Sequence, residues 1–96
     1  ISSGYNIAAI EVESVLLTHE DILECAVVGL PDSERGMLVC AHIVLHDKAK
    51  VSDEMKLNIQ HWFKEVAAPY KYPRVINFVE CLPKTETGKI QRFKLK

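Results

Sequence analysis

The stretch MLVCAHIVLHDKAKVSDEMKLNIQHWFKEVAAP, residues 37–69, decides the fold. Its first part, Met37 to His46, is apolar and β-branched, long enough for a central strand, and the polar segment Asp47 to Lys50 closes it. Ser52 then offers an N-cap, with Asp53 and Glu54 where the positive end of a helix dipole favours them. Met55, Ile59, Trp62, Phe63 and Val66 trace one apolar face of the helix that follows, and Pro69 prevents its continuation.

Working outward, Cys25 to Leu30 is a short valine-rich run closed by Pro31-Asp32, which predicts a buried strand ending in a turn. Upstream, Val12, Val15, Leu16 and His19 repeat at helical spacing, with Glu11, Ser14 and Thr18 on the other side. Downstream, Val75 to Val79 alternates as a third strand, and a polar loop beyond Leu82-Pro83 leads toward a last short helix. The expected architecture is α+β: one domain over residues 1–96, two helices on one face of a three-stranded sheet, with a short N-terminal hairpin from Ile1 to Ile7.

Composition narrows the function classes. The chain has 96 residues, 48% of them hydrophobic, which suits a single core. Twelve basic against thirteen acidic residues give no push toward nucleic acid or membrane surfaces. No apolar stretch approaches the ~20 residues that cross a bilayer. Cys25, Cys40 and Cys81 are odd in number and far apart, so a reduced, cytoplasmic setting is the simpler expectation, and neither Cys25 nor Cys40 has a partner at zinc-ligand spacing. The sequence starts without Met and stops within a basic stretch, so both ends read as cuts in a longer protein.

Three segments could carry chemistry. Pro83-Lys84-Thr85-Glu86-Thr87-Gly88-Lys89-Ile90-Gln91-Arg92 presents a lysine directly after a glycine that permits a tight turn and close approach of a ligand. Lys89 is thereby a flexible point charge for phosphate and carboxylate oxygens. Read alone, such a loop is more often a solvated basic turn. Ala68-Pro69-Tyr70-Lys71-Tyr72-Pro73-Arg74 is a proline-stiffened connection that either displays Lys71 and Arg74 to an anion or simply leads into a strand. Ser2-Ser3-Gly4-Tyr5-Asn6-Ile7 combines a glycine turn with an aromatic ring and says little by itself.

In this order the segments resemble the C-terminal domain of the acyl-adenylate-forming superfamily, the enzymes that include acyl-CoA synthetases, peptide-synthetase adenylation domains and firefly-type luciferases. Ser3-Gly4-Tyr5-Asn6-Ile7 with Glu11-Val12-Glu13 resembles its glycine loop and first helix, and residues 83–92 resemble its catalytic-lysine motif. Residues 68–74 and 89–95 are closest to the benzoate–CoA ligase and medium-chain acyl-CoA synthetase branch. Two departures stand out: the family usually has proline where Ala9 stands, and medium-chain relatives often have arginine where Asn6 stands.

The resemblance implies a mobile C-terminal domain of an ATP-dependent acid–CoA ligase, inactive alone, working with its own N-terminal domain on a small aromatic or medium-chain acid. ATP, Mg²⁺ and CoA would serve the full-length enzyme, with none bound tightly here and no metal site. Lys89 would be the catalytic, ATP-contacting residue. Ser3, Gly4 and Tyr5 would line the pantetheine channel, and Arg35, Lys64, Tyr72, Pro73 and Arg74 would contact the CoA nucleotide. Lys89 and Gly4, expected on separate loops and opposite faces, would take turns at one site by domain rotation. The rival readings are an adenylate-forming enzyme with a carrier-protein thiol or an oxygen as acceptor, and a non-catalytic module binding RNA or protein through Lys89, Arg92, Lys94 and Lys96. An RNA role is disfavoured by the balanced charge and the lack of an aromatic stacking stripe.

Overall fold

The computed structural model describes residues 2–34, 36–67 and 71–95, and for residues 2–8 the backbone alone. Helix α1 (Ser2–Leu16) is followed by strands β1 (Ile22–Asp32) and β2 (Gly36–Leu45), helix α2 (Asp53–Val66), strand β3 (Val75–Phe78) and a closing 3₁₀ turn (Arg92–Leu95). The sheet order is β1-β2-β3, so the run at residues 37–46 is indeed the central strand. β1 pairs antiparallel with β2, and β3 pairs parallel with it, Cys40 opposite Val75. A parallel neighbour demands a long crossover, which α2 supplies. Ser52 caps that helix as expected, its hydroxyl accepting from the Met55 N–H at 3.0 Å.

Alternation along the strands splits the core in two. On one face Val12 and Leu16 of α1 and Ile59 and Phe63 of α2 pack against Cys25, Val27, Ala41, Ile43 and Ile76, giving the expected pair of helices on one side. The other face holds Ala26 and Val44, covered by Leu82 with Val79, Ile90 and Leu95 around it. The polar loop is therefore also a lid over the sheet. Leaving that face wet would forgo about 25 cal/mol per Å² of apolar surface.

Three expectations are corrected. Residues 2–7 continue α1 and do not form a hairpin, so Ser3, Gly4 and Tyr5 lie in a helix and not on a loop. An isolated two-stranded hairpin is marginal in water, and Ala9 lets helical bonding run through where a proline would interrupt it. β1 is longer than its apolar run and includes Pro31, which an edge strand tolerates because one of its sides needs no N–H partners. Past Lys89 the described residues form only the short 3₁₀ turn, since the chain must stay extended to cover the sheet.

Candidate functional site

The lysine segment folds into a miniature hairpin. Lys84 and Ile90 form an antiparallel bridge, and the Gln91 N–H donates to the Pro83 carbonyl at 2.8 Å. Within this frame the Gly88 N–H donates to the Thr85 carbonyl at 2.9 Å, and the Thr85 N–H to the Lys89 carbonyl at 2.8 Å. Gly88 sits at φ 88°, the left-handed conformation that closes a three-residue hairpin loop. The Thr85 hydroxyl oxygen accepts from the Lys89 N–H at 3.1 Å and lies 3.0 Å from that of Thr87. The tip is thus fixed by its own backbone. The Lys89 amine makes no ion pair or hydrogen bond among the described residues and is exposed to solvent.

The root of the same hairpin is anchored by charge. On one arm Lys84 pairs with Glu24 of β1. On the other, the Arg92 Nε donates to Oε2 of Glu13 at 2.7 Å while a second guanidinium nitrogen donates to Oε1. Glu13 Oε2 also accepts the Val27 N–H at 2.7 Å, so one carboxylate from α1 binds both the edge strand and the lysine segment. Glu13 is 7% exposed, and the hydrogen bonds it accepts from the Arg92 guanidinium, helped by its charge, hold that group above its ordinary range. Burial, reinforced by that carboxylate, pushes the nearby Cys25 thiol up to about 12 and keeps it from acting as a thiolate nucleophile. The sequence reading missed this clamp, although Glu13 beside the core residues Val12 and Leu16 signalled it: a carboxylate there requires a partner.

Lys89 borders a groove of about 550 Å³ between the hairpin and the α1–β1 edge, walled by Ala9, Ile10, Val28, Ile90 and Phe93. Its walls are apolar apart from the hairpin's polar residues, and Phe93 is 70% exposed at the rim.

A second group forms where α2 meets the lead into β3. The Lys64 amine lies 4.1 Å from the centre of the Tyr72 ring and the Arg74 guanidinium carbon 4.8 Å from it. Arg74 also donates to the Tyr72 hydroxyl at 3.0 Å. Pro73, between Tyr72 and Arg74 in the chain, is buried, and its carbonyl accepts from Gln60 Nε2 at 3.0 Å. Four expected residues, Lys64, Tyr72, Pro73 and Arg74, are thereby brought together. Two cations share one aromatic ring, an arrangement an anion would stabilise. Lys71 instead pairs with Glu11 at 2.9 Å. Arg35 and the side chains of Ser3 and Tyr5 lie outside the described residues, and Gly4 is described by its backbone alone.

The described helices include none long and apolar enough to cross a membrane. The sequence profile of the AMP-binding enzyme C-terminal domain matches residues 11–89. The chain is 51% identical to the uncharacterized acyl–CoA ligase YtcI of Bacillus subtilis (strain 168), over 100% of this chain and 18% of that protein. It is 48% identical to the benzoate–CoA ligase of Thauera aromatica, over 98% of this chain and 18% of that one. The crystal structure of the anthranilate CoA ligase AuaEII in complex with anthranoyl-AMP superposes with a TM-score of 0.81 at 47% identity, covering 91% of this chain and 17% of the ligase. Matched in sequence and in fold along nearly all its length, the chain belongs to the family of AMP-binding enzyme C-terminal domains.

Proposed function

We propose that this domain serves an ATP-dependent acid–CoA ligase by carrying the cation that promotes adenylation. One observation supports this above the others: a lysine amine without a partner among the described residues stands on a hairpin tip closed by backbone hydrogen bonds from Thr85, Gly88 and Lys89. In adenylation a carboxylate oxygen attacks the α-phosphorus of MgATP, a P–O bond forms, and the bond to the leaving pyrophosphate breaks. Negative charge crowds onto oxygens that repel one another. An ammonium bridging the carboxylate and the α-phosphate offsets that repulsion and aligns the nucleophile without transferring a proton. Lys89 is free to do this because no carboxylate among the described residues claims it.

The CoA thiol then attacks the acyl carbonyl, the thioester bond forms, and AMP departs. Lys64, Tyr72 and Arg74 would receive the CoA nucleotide, whose phosphates match two cations that share one ring. Ser3, Gly4 and Tyr5 occupy the first turn of α1, where N–H groups lack intrahelical partners and can face a pantetheine arm. The lysine groove and the tyrosine cluster are built on different elements, so the domain would turn between the two steps against an N-terminal domain that holds the acid. The relatives named for benzoate and anthranilate support an aromatic acid. Three free cysteines suit a reducing cytoplasm.

The test is product release by the full-length protein with a panel of aromatic and medium-chain acids. Stoichiometric AMP and thioester should appear only when free CoA is supplied. Turnover to AMP with a carrier protein and without CoA would overturn the reading.

A further inference from the structure

Among the described residues Glu13 is the one acidic side chain buried in the core, and the donors that converge on its carboxylate come from β1 and from the segment after the lysine hairpin. We propose that Glu13 is a positioning residue for adenylation, acting through Arg92 to hold the hairpin that presents Lys89. The proposal rests on the reading of Lys89 given above.

The geometry makes the coupling stiff. Between Lys89 and Arg92, Ile90 bridges to Lys84 and the Gln91 N–H is bonded to Pro83. A shift of Arg92 is therefore passed to the tip through a bonded ladder and not absorbed by loose chain. The fork of Arg92 on both oxygens of Glu13 fixes an orientation as well as a distance. Val27 N–H, on the third approach, ties the same carboxylate to the sheet. Among the described residues the opposite arm has only the more exposed Lys84–Glu24 pair, and exposed ion pairs hold position weakly. Ion pairs buried to this degree often stabilise a fold no better than apolar residues would. What this one supplies is a fixed height and angle for the amine above β1.

The experiment compares Glu13→Gln, Lys89→Ala and the double variant in the full-length protein. Glutamine keeps the shape and an oxygen for the Val27 N–H but loses the charge and the symmetric fork. Glu13→Gln should slow single-turnover acyl-adenylate formation by about 10-fold or more, because small misplacements of a catalytic group are costly. Apparent KM values for acid and MgATP should hold, and thioester formation from pre-made acyl-adenylate should match the wild type. Added to Lys89→Ala, the substitution should cause no further loss, since its only route to the chemistry is gone. Equal loss in both half-reactions, additive loss in the double variant, or unimpaired adenylation would each overturn the proposal. If Lys89→Ala itself spares adenylation, the fault lies in the Lys89 reading, and the proposal falls with it. Should Glu13→Gln not fold, Arg92→Lys, which keeps charge but loses the fork, is read by the same criteria.

Discussion

Lys89 and Arg92 lie on one arm of the same hairpin, yet the first ends in solvent without a partner among the described residues while the second grips both oxygens of a buried carboxylate. The difference comes from position along the arm. Lys89 follows Gly88, whose left-handed backbone closes the loop, and Arg92 comes after the bridge, where the chain meets Glu13. In a basic stretch composition cannot tell which charge serves a ligand and which serves the fold. The turn and the buried carboxylate make that distinction.

The comparison can be broken at its root first. Arg92→Met leaves Glu13 buried with only the Val27 N–H, and an unpaired buried charge is costly. Because Arg92 is partly wet, the expected loss is about 2 kcal/mol, readable by chemical denaturation of the chain. A loss near zero would mean that the clamp contributes nothing to the fold. A smaller effect is expected at the tip. Gly88→Ala meets no neighbouring atom within 4 Å, so only the strain of φ 88° counts, about 1 kcal/mol. Its adenylation should fall more than its stability suggests, because the amine is re-aimed. Unchanged rate and stability would show that the glycine turn does not set the direction of Lys89.

Most of the fold was legible from local signals. The central strand ran one residue off at each end, Gly36–Leu45 against 37–46, and the Ser52 cap placed α2 correctly because capping and periodicity act within a few residues. Pairings remote in sequence were not legible. Nothing near Arg92 announces Glu13, and nothing in a polar loop announces that Leu82, Ile90 and Leu95 cover the second face of the sheet. The hairpin expected at residues 1–7 failed for the opposite reason: a glycine and an aromatic side chain are weak local signals, and helical bonding displaced them. At the site, the sequence placed Lys89 after a turn and drew Lys64, Tyr72 and Arg74 into one group through resemblance. It could not show that the first amine is unpaired or that the last two cations share a ring.

The central claim is that the amine at position 89 acts in adenylation and nowhere else. It is tested most directly by single-turnover kinetics of Lys89→Ala in the full-length protein, with each half-reaction started separately. Adenylation should slow by about 10² to 10³, while thioester formation from supplied acyl-adenylate and CoA keeps its rate. An equal fall in both steps, or none in the first, would contradict the account.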